Sequence, residues 1–183
     1  MDLVHNPGIG QEAAISNFAH KLLEGLGYDD GDTIIFSRRA IPLVICGENH
    51  MAQTDLCVMN DNKILLLFQE DKQLTSTQPQ VIAEAIAAFG MNVRMQEGCC
   101  LPPINSMTLP AITMTGSNPT FYKITVTKKL ASAVQLGIYP ATQTQVLEYI
   151  PVLPRRDSLN MTLLDNRQEI VACLAAFKQF IGN

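Results

Sequence analysis

The segment Ile64 to Lys72, ILLLFQEDK, constrains the fold more than any other part of the chain. Ile64 to Phe68 are apolar with no alternation, the pattern of a strand covered on both faces, which belongs in the middle of a sheet with helices on either side. The run then ends in Gln69, Glu70, Asp71 and Lys72. Charges joined this tightly to a central strand sit where the strand gives way to a loop. The segment therefore predicts a buried strand with a polar site at its C-terminal end.

The rest of the chain can supply such a sheet. Its 183 residues are 47% hydrophobic and 16% charged, enough for one sizeable core and within the length of one domain, so residues 1–183 are expected to fold as a single unit. No stretch matches the roughly 18 uninterrupted apolar residues of a membrane helix, and the start MDLVHNPGIG lacks the basic and apolar regions of a signal peptide. The expectation is an intracellular protein, of cytoplasm or nucleus, with no membrane partner. The cysteines Cys46, Cys57, Cys99, Cys100 and Cys173 show no C-x-x-C spacing, which suits free, mostly buried thiols better than zinc or disulfides. A net charge of −4 argues against holding nucleic acid by a broad basic surface, since phosphate neutralisation dominates such binding. The doublets Arg38-Arg39, Lys128-Lys129 and Arg155-Arg156 leave room for a local basic groove, although each also reads as solvated loop charge.

Periodicity predicts a helix over 9–26, with Ile9, Ala13, Phe18, Leu22, Leu23 and Leu26 at near-helical spacing and Gly25 and Gly27 as a stop. Strands follow near 34–46, interrupted about Arg39 and Pro42, then at 55–60 and 64–70. A helix over 79–92 carries Val81, Ile82, Ala85, Ile86 and Phe89 on one side and has an early proline. AITMTG and TFYKITV read as strands joined by SNP, then come a short helix near KKLASAVQLG, a strand in TQVLEYIPV and a C-terminal helix over 164–181. The fold class is α/β, with a mixed central sheet flanked by helices.

The polar site follows from counting through the NDNK turn. With a loop of Asp61-Asn62, facing residue numbers sum to about 123, which sets Asp55 opposite Phe68. Side chains alternate, so Glu70 and Lys72 are expected on the face of Asp55, with Gln69 and Asp71 on the other. Asp55 and Glu70 become diagonal neighbours, about 7–8 Å apart at the backbone. Two carboxylates beside a lysine suit a hard divalent ion such as Mg²⁺, which acidifies a bound water and offsets charge on a phosphoryl oxygen. That chemistry is phosphodiester hydrolysis. E-x-K by itself also reads as a surface salt bridge at a strand end.

The segment from Gln53 to Phe89, with its D-x14-E-x-K spacing across a hairpin, resembles the PD-(D/E)XK nuclease superfamily. IPLVICGENHMAQTD and NPTFYKITV look like fungal members of that superfamily. The resemblance implies a restriction-endonuclease-like α-β-β-β-α-β core, here with an extra C-terminal strand and helix, and a nuclease that cuts DNA or RNA with Mg²⁺ or Mn²⁺. It also implies roles. Asp55 and Glu70 would be metal-binding carboxylates, Asp71 a ligand through its main-chain carbonyl, and Lys72 the catalytic lysine. Glu12 matches a position from which some members supply a further acid, and Gln80 resembles a glutamine placed beside the site in exonuclease-like members. Each also reads as a solvated helical residue. Thr54 stands where the family name has proline, and His50 is either a further ligand or an exposed residue of a GENH loop. A different class of function, a nuclease fold retained as a binding module without catalysis, satisfies the same fold, and so apolar a chain also suits a homodimer.

Overall fold

The computed structural model describes residues 13–70, 78–156 and 160–181. Helix α1 (Ala13–Gly25) precedes a long hairpin of β1 (Ile34–Ile45) and β2 (Glu48–Asn60), and β3 (Lys63–Glu70) completes a three-stranded antiparallel run. Helix α2 (Gln78–Gly98) then crosses over to β4 (Ser106–Thr115), which pairs parallel with β3. A parallel pair needs such a crossover, because a tight turn can only reverse the chain. β5 (Asn118–Thr127), helix α3 (Lys128–Leu136), β6 (Val146–Tyr149) and helix α4 (Leu164–Phe177) follow, with a 3₁₀ turn at Lys178–Phe180.

Among the described residues the sheet has the strand order β1-β2-β3-β4-β5-β6, so β3 is internal as its apolar run requires. One core lies between the sheet and helices α1 and α4 and includes Ile15, Leu23, Leu56, Val58, Leu66, Phe68 and Leu174. The other lies under α2 and includes Cys57, Met59, Ile64, Leu67, Val81, Ala85 and Phe89. The fold is α/β, a mixed sheet flanked by helices on both faces. No helix among the described residues is long and apolar enough to cross a membrane.

Two elements depart from expectation. β2 starts at Glu48, well before residue 55, because Cys46 and Gly47 form a tight turn with φ of 53° and 81°. Glu48 to His50 are therefore the start of a strand and not a loop, and His50 pairs across from Leu43. β1 runs unbroken through Pro42, but Arg38 has φ of 52°, and the strand changes faces there: Ile35 packs towards α1 whereas Ile41 and Leu43 pack under α2.

Candidate functional site

The β2–β3 turn is the two-residue Asp61-Asn62 loop, with both residues at positive φ, 45° and 68°, as a primed hairpin turn demands. Met59 pairs with Ile64 and Asn60 with Lys63, the expected register. One residue later the register shifts. Leu65 is an extra residue on β3, so Val58 pairs with Leu66, Cys57 with Leu67 and Leu56 with Phe68. Asn92 of α2 marks the same place, its side chain accepting from the Ile64 N–H and donating to the Ile64 carbonyl, both at 2.8 Å. A strand apolar on both faces has no alternation to hold one register, and the bulge is tolerated.

The bulge overturns the expected facing of the acids. Phe68 lies opposite Leu56, not Asp55, and continuing that register sets Asp55 opposite Gln69. Along β2, Asp55 alternates with Leu56 and so shares the α2 face with Cys57; along β3, Glu70 shares the α1 face with Phe68. The Ser16 hydroxyl on α1 donates to Glu70 Oε2 at 3.0 Å, which holds the buried Glu70 carboxylate on that side. Asp55 and Glu70 still meet, through the main chain: Asp55 Oδ2 accepts the Glu70 N–H at 2.9 Å. The neighbouring Thr54 hydroxyl is buried, 2.7 Å from the Leu56 carbonyl and 2.8 Å from that of Phe68. Beyond the Leu56–Phe68 pair, side chains thus replace the backbone ladder between β2 and β3. This break in the ladder, the notch, lies at the C-terminal end of β3, beside the end of its parallel partner β4, and the carboxyl ends of strands are where open α/β sheets bind ligands.

Helix α2 lines the other side of the notch. Gln80 Nε2 donates to Glu84 Oε1 at 3.1 Å, and Glu84 is 1% exposed. Burial pushes the Glu84 carboxyl up to about 8, against the lowering effect of the Gln80 hydrogen bond and with a further rise from the Asp55 charge. Its Oε2 is buried without a hydrogen-bond partner, as are Gln69 Oε1 and Arg39 Nε. Such orphans cost about 1–3 kcal/mol each and call for an explanation. Cys57 lies among them, its thiol pushed up to about 11 chiefly by burial, with Arg39 lowering it and Glu84 raising it further. It is a packed thiol and no nucleophile. On β1, Arg38 is exposed and occupies the position opposite Asp55, between the Ser37–Leu56 and Arg39–Thr54 pairs.

Of the residues singled out by sequence, Asp55, Glu70 and Gln80 converge on this end of the sheet, while Glu12, Asp71 and Lys72 lie outside the described residues. His50 is exposed, 3.6 Å from the Glu48 carboxylate, and five residues of strand, about 17 Å, from Asp55, too far to share a ligand with it. Glu84, Gln69 and Ser16 were missed, and Arg39 was marked only as half of a basic doublet. Glu84 had a legible signal: in VIAEAIAAF it falls on the stripe of Val81, Ala85 and Ala88, an acid within the buried face of a helix. The available donors are oxygens, which suit Mg²⁺ or Mn²⁺ and not a softer metal. Among the described residues, no three of His, Cys, Asp and Glu are grouped so as to hold a metal ion unaided. The sequence matches no protein-family model, and a search of curated proteins finds no significant relative.

Proposed function

We propose that this chain is a metal-dependent phosphodiesterase that cleaves DNA or RNA on a restriction-endonuclease-like core. Asp55 and Glu70 are its metal-binding carboxylates, Asp71 a main-chain ligand and Lys72 the catalytic lysine, with Glu12 and Gln80 as accessory residues. One observation carries the reading: the Asp55 carboxylate is fixed on the main-chain N–H of Glu70, so the acid of β2 and the Glu of E-x-K meet although they lie fifteen positions apart. The element order α1-β1-β2-β3-α2-β4 supports the same core.

Bound Mg²⁺ or Mn²⁺ would supply an acidified water and charge stabilisation at the phosphoryl oxygen. The chain's own residues prepare the place. Thr54 and Asp55 tie β2 to the end of β3 through their side chains, and the second Asp55 oxygen makes no hydrogen bond among the described residues. Arg38, exposed on β1 opposite Asp55, can meet phosphate oxygens, with the half-buried Arg39 adjacent to it; a chain charge of −4 argues against a broad basic surface for such contacts. Lys72 follows two residues after Glu70 and positions the attacking water or offsets transition-state charge.

The test is a cleavage assay with Mn²⁺ and Mg²⁺ on single- and double-stranded DNA and RNA. Wild type cleaves at least one polymer, and Lys72→Ala and Asp55→Asn each lose on the order of 100-fold or more in rate. No cleavage by wild type, or equal rates in all three proteins, sinks the proposal. A second reading, a non-catalytic binding module, is favoured by the divergence of the Asp55 and Glu70 side chains to opposite faces. Calorimetry separates the two: a module gives no heat with Mn²⁺ yet still binds its polymer or protein partner.

A further inference from the structure

Three polar atoms beneath α2 are buried and unpartnered, and two of them, Glu84 Oε2 and Gln69 Oε1, are oxygens on the face that Asp55 shares. Their nearness follows from the pinning of α2 to β3. Asn92 fixes the helix beside Ile64. With Leu65 bulged out, the strand advances only about 13 Å from Ile64 to Gln69, and from Asn92 back to Ala83 the antiparallel helix covers about the same distance. That places Gln69 level with Ala83, within one helical turn of both Gln80 and Glu84. Continuing the β2–β3 register beyond Leu56–Phe68 sets Asp55 across from Gln69, and the Asp55 charge raises the Glu84 carboxyl further. The Gln80 amide holds Glu84 Oε1, which leaves Oε2 as the free end of an oriented carboxyl.

We propose that Glu84 and Gln69, together with Asp55, form a divalent-cation site on the α2 face of the notch, with Glu84 acting as a carboxylate ligand supplied by a helix. The inference rests on the metal-dependent reading above and extends its ligand set: the Ser16 hydroxyl binds Glu70 Oε2 on the α1 face, and Glu84 supplies a further acid on the side of Asp55. A carboxylate oxygen and an amide oxygen at 1% and 6% residue exposure, both without partners, are what a hard cation that prefers oxygen ligands would satisfy. Gln80 is then a positioning residue, aiming Glu84 through its other oxygen.

The experiment is isothermal titration of Mn²⁺ into metal-free full-length protein and its Glu84→Gln, Gln69→Met and Glu70→Gln variants, with circular dichroism as the check on folding. Expected is a weakening of Mn²⁺ binding of at least tenfold in Glu84→Gln and at least threefold in Gln69→Met, both larger than the effect of Glu70→Gln. Wild-type affinity in Glu84→Gln, or absence of Mn²⁺ binding by wild type, overturns the site. Should Glu84→Gln not fold, Gln69→Met decides, and unchanged affinity there overturns it too. The readout is independent of cleavage: Glu84-dependent binding by a protein that cuts no polymer sustains this site while the nuclease reading fails. Cleavage that survives with Mn²⁺ binding unchanged in Glu84→Gln does the reverse.

Discussion

Asp55 and Glu70 meet through the main chain and part through their side chains. Asp55 Oδ2 takes the Glu70 N–H at 2.9 Å, whereas the Glu70 carboxylate turns to the Ser16 hydroxyl at 3.0 Å on the α1 face. The contact is a structural clamp as well as a candidate site, and the two roles can be separated by chemistry. Asp55→Ala leaves the N–H of the buried Glu70 without its acceptor and is expected to cost about 1–3 kcal/mol. Asp55→Asn keeps an oxygen there and should recover most of that cost while losing the charge that a cation needs. Urea unfolding should therefore rank the proteins wild type, Asn, Ala, while Mn²⁺ titration groups the two variants together. Equal unfolding midpoints for wild type and both variants would show that the clamp carries no stability.

The bulge makes a prediction of its own. Asn92 pairs with both backbone groups of Ile64 in a buried setting, so Asn92→Leu orphans a donor and an acceptor at once. The expected loss is about 2–5 kcal/mol, with the urea midpoint falling at unchanged slope. A loss below about 0.5 kcal/mol would mean that β3 re-registers to satisfy Ile64 in another way.

That bulge also marks the limit of what the sequence disclosed. The apolar run of Ile64 to Phe68 announced an internal strand, and the turn-forming Asp61-Asn62 announced the hairpin correctly. The facing of Asp55 and Glu70 did not follow, because the register slips at Leu65, inside the very run whose lack of alternation made the strand so recognisable. The feature that gave away burial erased the information about phase. Glu84 went unnoticed for a related reason: a lone acid on a helix reads as solvated, and only its phase with Val81, Ala85 and Ala88 sets it inside. Gln69 carries no pattern in the sequence, and the Arg38-Arg39 doublet does not disclose that Arg39 is half-buried, since both depend on how β1 and β3 lie beneath the helix.

Arg38 occupies the left-handed region, with φ of 52°, directly across from Asp55. A non-glycine residue there stores about 1 kcal/mol or more, and such strain persists where the surroundings enforce it. Arg38→Gly relieves the strain at the expense of unfolded-state entropy, so stability should stay within about 1 kcal/mol of wild type or rise. Affinity for a nucleic acid should fall, and the slope of its salt dependence should drop by about one ion if Arg38 contacts a phosphate. Unchanged affinity and slope would remove Arg38 from the groove.

The buried Glu84 makes stability depend on pH in a direction opposite to that of most paired carboxylates. Its carboxyl rises from an ordinary 4.5 to about 8, chiefly by burial, so between those values the folded protein keeps a proton that the unfolded chain gives up. Stability falls with rising pH wherever the folded state binds more protons. The contribution of neutral Glu84 is therefore complete below about pH 4.5, is lost progressively as pH rises through about 8, and is absent above. A shift of this size corresponds to a few kcal/mol at most. Glu84→Gln carries no such proton. In metal-free buffer the two proteins should have similar unfolding free energies near about pH 5, and the wild type should become the less stable by about pH 9. Adding Mn²⁺ at the higher pH should narrow the gap if the ionised Glu84 gains a cation there, because a ligand that binds only the folded state stabilises it by mass action. Parallel curves for the two proteins across that range would show that Glu84 does not titrate with folding.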